Sequence, residues 1–471
     1  MEWLIEDILT ATGGRLLYGS ERQRFQGVGI DSRTIEPAAL FVALRGLRHD
    51  AHAFASQVVA RGIKGLVIAA DTDAPLDHDD WKAQGVACVA VAETTVALGA
   101  LAAFQRQQHR IPVAAITGSN GKTTTRQMTA AVMARKFKTL ATEGNLNNEI
   151  GLPLTLFQLD ATHQAAVLEL GINHFGEMDR LGTICKPTMG MITNAGPAHL
   201  EFLENLEGVA RAKGELLAHI EAEGHAILNA DDAKVAALAA RAHCPVVFFG
   251  TAPQADIRAE SIVETRGHID FDLILPGERL TVKLNTPGRF MVTNALAAAA
   301  VGHVAGVGIE AIGQGLASFY PAKGRLQMIT TELGVKIIDD TYNANPASMV
   351  AAMQAFATAR ASARGLIVLG EMLELGAQAG RLHREVGVLA GRAGAVRIYA
   401  YGEHAEEVIS GARDAGMPKS DLMAATKEEI AAHLIEQLRP GDWVLVKGSR
   451  GVAMESVVKA IRDWAEVITI E

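Results

Sequence analysis

Positive charge is in deficit in this chain: 44 Lys plus Arg stand against 53 Asp plus Glu, a formal net charge of −9. The broad cationic footprint of a nucleic-acid binder is therefore missing, no nucleic-acid partner is expected, and an anionic ligand has to be held by a local site. Cysteine is scarce, and the three present, Cys88, Cys185 and Cys244, form no CxxC pair and no even framework. That excludes a disulfide scaffold and a cysteine-based zinc site, and leaves small buried hydrophobes in a reducing compartment, with the cytoplasm expected. No uninterrupted apolar run approaches the ~20 residues of a membrane span, so an integral membrane protein is not expected. The opening MEWLIEDILTATGG carries acidic residues where a secretory signal would carry basic ones. An NKxD base-reading motif is also absent, which gives a GTPase switch poor support.

What the chain has is apolar residues, 49% of 471, with only 5% aromatic and an abundance of Ala, Gly and Val. That composition suits packed α/β layers, and the length suits about three domains. Up to about residue 110 short apolar strands such as LFVAL and GLVIAA flank a helical AFASQVVARG. From 111 to about 320 strands and helices alternate (PVAAIT, TTRQMTAAVMARKF, AAVLEL, MGMITN, HAILNA, PVVFFG), which predicts a mostly parallel sheet covered on both faces. Within it, HIDFDLILPGERLTVKL reads as an appended β-hairpin. From 321 to 471 VKIIDDTY, GLIVLG, VRIYAYG and WVLVKGS predict a second parallel sheet. The expected divisions are thus 1–110, 111–320 and 321–471, with the clefts between them open to a large substrate.

The chemistry centres on AAITGSNGKTTT, Ala114 to Thr125. A strand ending in Thr117, then Gly118, Ser119, Asn120 and Gly121, then a helix opening with Lys122, Thr123 and Thr124, is a backbone cradle for phosphate oxygens. Lys122 would place a point charge on the terminal phosphates, and Thr123 a hydroxyl on Mg²⁺. The stretch departs from GxxxxGK[ST], because Ile116 stands at the first glycine position. Two more strand ends aim at the same place: AAVLELG delivers Glu169, and MGMITNAGPAHLE delivers Asn194 and His199. Together they outline one nucleotide site at the carboxyl ends of a parallel sheet. The loop alone names a nucleotide and not a reaction, and a small-molecule kinase stays open on physics alone.

Taken in order, TGSNGKTTT, EGNLNNEIGLPLTL, LELGINHFGEM, TNAGPAHLEFLENLEGVARAKGEL, NALAAAA, KGRLQ, DDTYNANPASM, LGEMLELG and VLVKGSRGVAMESVV resemble the Mur ligases over essentially the whole chain. The resemblance implies an α/β, three-domain architecture: a central parallel-sheet P-loop ATPase domain between a small N-terminal UDP-binding domain and a C-terminal Rossmann-like domain. It also implies an ATP- and Mg²⁺-dependent, ADP-forming ligase of peptidoglycan synthesis. NANP and LGEMLELG favour the member that joins D-alanyl-D-alanine to UDP-N-acetylmuramoyl-tripeptide. The alternatives are a member adding a single amino acid, for which no DNPR motif is found, and a folylpolyglutamate synthase-like ligase. A regulatory module that kept the fold and lost the chemistry is a further alternative.

By the same resemblance, Thr123 and Glu169 are expected on one Mg²⁺, and His199 with Lys213, as its carbamate, on a second. Lys122, His199 and Lys213 form the expected catalytic set. Asn294 is expected on the adenine side, Arg325 at the γ-phosphate and Asp340 at the ribose. Ser32 and Arg33 are expected to face the uridine diphosphate, and Asn343 and Asn345 the substrate. Where the family pattern has His-Asn, this chain has Phe290 and Met291, which puts the adenine contacts in question. A monomer is expected.

Overall fold

The computed structural model describes residues 2–46, 49–197, 200–265 and 267–470. The strand Val113–Thr117 (VAAIT) is buried along its whole length, as an apolar run must be when helices cover both faces of a parallel sheet. It lies third from one edge of a nine-stranded sheet. In spatial order the strands are 278–284, 269–275, 257–264, 246–250, 225–229, 189–192, 113–117, 165–169 and 139–141. Val113–Thr117 has Ala165–Glu169 on one side and Met189–Ile192 on the other, both parallel to it. The chain visits the edge strand Thr139–Ala141 before returning between, so the order reverses beside Val113–Thr117. Such a reversal opens a crevice at the carboxyl ends of the strands.

Apolar side chains from the helices Lys122–Met133, Phe290–Val304 and Ile309–Ala317 form the core on one face of this sheet. Leu152, Met178, Leu181, Val209 and Leu216 form part of the core on the other. The segment 257–284 is antiparallel, as its alternating pattern predicts, but it comprises three strands, the first of which joins the parallel sheet through Phe249 and Gly250.

Ahead of this sheet, the strands 28–29, 40–42, 65–69 and 87–91 run parallel, with Arg15–Tyr18 antiparallel at the edge beside Ala87–Val91. A separate two-stranded ribbon pairs Glu2–Leu4 with Arg24–Gln26. After it, a six-stranded sheet runs in the order 327–330, 336–340, 443–447, 365–369, 397–400, 422–424, parallel except for the first strand. Its carboxyl ends deliver Asp340 and Lys447 side by side, paired in register. One continuous apolar cluster runs from the central sheet through Leu326, Ile338, Ala344 and Met349, so the third sheet is packed onto the second. Among the described residues no helix is long and apolar enough to cross a membrane.

Candidate active site

The phosphate loop is built by two glycines with positive φ, Gly118 at 155° and Gly121 at 78°. A Cβ at Gly118 would lie 1.8 Å from Thr193 Oγ1, and one at Gly121 would lie 2.6 Å from Asn294 Oδ1. Close approach of neighbouring polar groups, as well as backbone conformation, therefore demands glycine at both places. The strand end at Met189–Ile192 holds the loop from the side. Thr193 Oγ1 and Asn194 Nδ2 donate to the Asn120 carbonyl at 2.8 and 3.0 Å, and Asn194 Oδ1 accepts from the Asn120 N–H at 2.9 Å. Ser119 Oγ donates to the Gly196 carbonyl at 2.7 Å. Thr117 ends the strand fully buried, with its hydroxyl unpartnered among the described residues.

Lys122 opens the helix and folds back to donate to the Gly118 carbonyl at 2.7 Å. Burial pulls its ammonium below the ordinary lysine range. Thr123 Oγ1 and Asn147 Nδ2 both donate to Glu169 Oε1, at 3.1 and 2.9 Å. The other carboxylate oxygen, Glu169 Oε2, is sealed and accepts no hydrogen bond among the described residues. Arg126 Nε stands 3.3 Å from it. A hydroxyl and a carboxylate with an acceptor to spare form an all-oxygen donor set, which fits a hard divalent cation such as Mg²⁺.

Lys213 lies on the helix Leu206–Gly214, whose first turn is capped by Asn205 accepting from the Gly208 N–H at 2.8 Å. Its side chain is 2% exposed and makes no hydrogen bond or ion pair among the described residues. Burial, with the Lys122 charge added, drives its ammonium well below the ordinary range. His199, placed in this site by the sequence, lies outside the described residues.

Across a cavity of about 540 Å³ the phosphate loop faces the third sheet, with Asn294, Arg325, Asp340, Asn343 and Asn345 on its wall beside Ser119 to Thr124 and Glu169. Asn294 Oδ1 accepts from Thr125 Oγ1 at 3.3 Å, and its amide points to Met291 Sδ at 3.7 Å. Phe290 and Met291 line the same wall, giving it an apolar surface. The Arg325 guanidinium stacks on the Tyr342 ring at 3.9 Å, an arrangement that orients a cation without neutralising it. Asp340 accepts from Lys447 Nζ at 2.5 Å through Oδ2 and from the Leu326 N–H at 3.1 Å through Oδ1. It does not cap the helix Pro346–Arg360; Asn345 does, accepting from the Ser348 N–H at 2.9 Å. The free amide of Asn345 reaches across the cavity to Asn120 Oδ1 at 2.7 Å, tying the third sheet to the phosphate loop.

Ser32 and Arg33 are not among the residues lining this cavity. They form a turn after the strand Val28–Gly29, where Arg33 is held by Asp31 through Nε and Nη2 at 2.9 and 2.7 Å. That pairing holds the Asp31 carboxyl down at about 2.

Sequence reasoning missed Asn147, Arg126 and Lys447. Lys447 ends the apolar run WVLV just as Glu169 ends AAVL, and Arg126 follows Lys122 by four residues on one helix face; both signals were present. Asn147 sits in a loop, where no periodicity points.

A glycine-bent phosphate loop at a sheet reversal, with a carboxylate strand beside it and a second sheet's cation and acid opposite, defines a P-loop protein with its site between domains. The family models agree. Residues 24–106 match the Mur ligase family catalytic domain, 116–302 the Mur ligase middle domain and 324–450 the Mur ligase glutamate ligase domain. The UDP-N-acetylmuramoyl-tripeptide--D-alanyl-D-alanine ligase of Escherichia coli is 38% identical over 440 residues, 93% of each chain. That of Bacillus subtilis is 32% identical, again over 93% of each. Among solved structures, MurF from Acinetobacter baumannii superposes with a TM-score of 0.89 at 34% identity, covering 98% of this chain and 99% of that one. MurF from Thermotoga maritima, solved with ADP, gives 0.82 at 26%, covering 94% and 98%. The chain belongs to the Mur ligase family.

Proposed function

We infer that this protein is an ATP-dependent, ADP-forming ligase that joins D-alanyl-D-alanine to the terminal carboxylate of UDP-N-acetylmuramoyl-tripeptide, making the pentapeptide for peptidoglycan. The observation that carries the reading is the single cavity shared by Lys122, Glu169, Arg325 and Asp340, in a chain 38% identical to a ligase of that name. A carboxylate oxygen of the acceptor attacks the γ-phosphorus and ADP leaves. The dipeptide amine then attacks the acyl phosphate carbon, phosphate leaves and the amine gives up a proton. Lys122 holds the terminal phosphates, Arg325 meets the γ-phosphate, Asp340 the ribose and Asn294 the adenine side. Ser119 and Asn120 donate their N–H groups to Asn194, which leaves the backbone N–H groups from Gly121 to Thr124 to cradle the phosphate oxygens.

Thr123 and Glu169 are the residues that would hold one Mg²⁺, and Lys213 as a carbamate, with His199, a second. Bound there, divalent cations neutralise the triphosphate and the transferring phosphoryl group. Lys213 suits the carbamate role because only an uncharged amine takes up CO₂, and burial favours that form. Ser32 and Arg33 are assigned to the uridine diphosphate, and Asn343 and Asn345 to the substrate side. The domain limits 1–110, 111–320 and 321–471, a monomeric state and a cytoplasmic location belong to the same reading. Phosphate release that requires ATP, the tripeptide nucleotide and D-Ala-D-Ala together supports it; release indifferent to the dipeptide overturns it.

A further inference from the structure

Lys447 is a buried cation on the wall of the phosphate-loop cavity that the phosphate chemistry above does not use. Its side chain is 2% exposed. It ends the strand Trp443–Lys447, in parallel register with Asp340 on one side and Leu369 on the other. The Gly370 N–H donates to its carbonyl at 2.7 Å. A side chain carried by a strand held on both sides is placed more firmly than one on a loop.

The ammonium donates to Asp340 Oδ2 at 2.5 Å and to the Asn343 carbonyl at 2.9 Å, so it cannot swing away from the acid without giving up a second bond. Both charges of such a pair surrender water to form it, and stability alone is a poor account of its presence. Its effect on Asp340 is geometric. The Leu326 N–H takes Oδ1 at 3.1 Å and Lys447 takes Oδ2, one donor on each oxygen, which fixes the plane of the carboxylate. A carboxylate has about four acceptor sites, so each oxygen keeps one. Asp340 lines the cavity with two acceptors side by side, a pattern that matches two vicinal hydroxyls. Without the Lys447 charge it would also repel a triphosphate bound in the same cavity.

Resting on the reading that Asp340 meets the ribose, we propose that Lys447 is a positioning residue for ribonucleotide selection. It holds the Asp340 carboxylate in the orientation that accepts from both ribose hydroxyls, and it touches no reacting atom itself.

The test compares ATP with 2′,3′-dideoxy-ATP in the full-length protein, as a ratio of kcat/KM for phosphate release with tripeptide nucleotide and D-Ala-D-Ala saturating. Wild type is expected to favour ATP by about 100-fold, the scale of hydrogen bonds to a charged acceptor. Lys447→Met should lower that ratio at least about tenfold, through KM for ATP, with KM for D-Ala-D-Ala changed by less than about threefold. Asp340→Asn should lower it as far, and adding Lys447→Met to Asp340→Asn should change it by less than about twofold, because the two residues act as one unit. If Lys447→Met does not fold, Lys447→Gln is expected to lose at least about threefold of the ratio, since a neutral donor holds the acid less firmly. An unchanged ratio in the Lys447 variants with only the melting temperature lowered would make this a structural ion pair and overturn the proposal. A further fall in the double variant, beyond that of Asp340→Asn, would overturn it as well. A wild type that uses both nucleotides equally would overturn the proposal together with the ribose role of Asp340. The ligase reading would still stand in that case if phosphate release required both the tripeptide nucleotide and D-Ala-D-Ala.

Discussion

Two lysines, Lys122 and Lys213, are buried near enough for the charge of one to depress the other. Two ammonium groups in that position repel each other and any metal, so one of them has to be neutral or covalently altered for the site to work. Lys122 has an acceptor in the Gly118 carbonyl, whereas Lys213 has none among the described residues. Lys213 is therefore the one assigned to the carbamate. Lys213→Ala is expected to lose at least about 100-fold in kcat, with partial recovery in added short-chain carboxylate, while Lys213→Arg is not recovered because its charge is fixed. Full activity in Lys213→Ala would remove the residue from the site. The role of Lys213 came from the resemblance, since a lysine in GVARAKGELL also reads as a solvated helix lysine, and burial separates the two. Asp340 shows the opposite limit: its position at a strand end was legible, but its ties to Lys447 and the Leu326 N–H depend on contacts 107 and 14 residues away in the chain.

The element that most directly joins two parts of the site is the helix Pro346–Arg360. Asn345 caps it reciprocally with Ser348 and at the same time donates to Asn120 in the phosphate loop. Asn345→Ala is expected to cost about 1 kcal/mol of stability through the cap. It should also raise KM for ATP; chemical denaturation and steady-state kinetics read the two effects separately. Asn345→Asp keeps the cap and loses the donor, so it should change KM with little loss of stability.

A different element end, the loop after Gly365–Leu369, carries Glu371. Its carboxylate accepts from His404 Nδ1 at 2.6 Å and from the His404 N–H at 3.0 Å, and His383 stacks on His404 at 4.8 Å between ring centres. The bond to Glu371 raises the His404 pKa, with Glu407 and Glu403 adding to it. A histidine raised on folding stabilises fully below its unfolded value, about 6.5, and that contribution is lost as pH climbs through the folded value. Thermal melts should show this loss as pH rises above about 6.5 in the wild type and not in His404→Asn. Helices and central strands of this kind were legible from periodicity. The edge strands Gln327–Thr330 and Leu422–Ala424 were not, because three or four residues paired on one side leave no clear pattern.

At the scale of the whole molecule, three sheets in series put the reacting groups on different domains. The nucleotide loop belongs to the nine-stranded sheet, whereas Arg325 precedes the edge strand of the six-stranded one and Asp340 ends the strand beside that edge. The alternation of apolar strands and helices made this order of sheets readable, and AAITGSNGKTTT made the nucleotide site readable. Which side chains meet across the cavity was not, because no local pattern encodes a contact such as Asn345 to Asn120. The arrangement sets an acceptor carboxylate against a triphosphate in a walled cavity, where an activated acyl group is shielded from water. The most direct measurement is chemical trapping: wild-type protein, ATP and UDP-N-acetylmuramoyl-tripeptide with hydroxylamine in place of the dipeptide. The account predicts the hydroxamate of the tripeptide nucleotide, formed with one ADP and one phosphate each. Release of AMP and pyrophosphate, or ATP splitting with no hydroxamate, would contradict it.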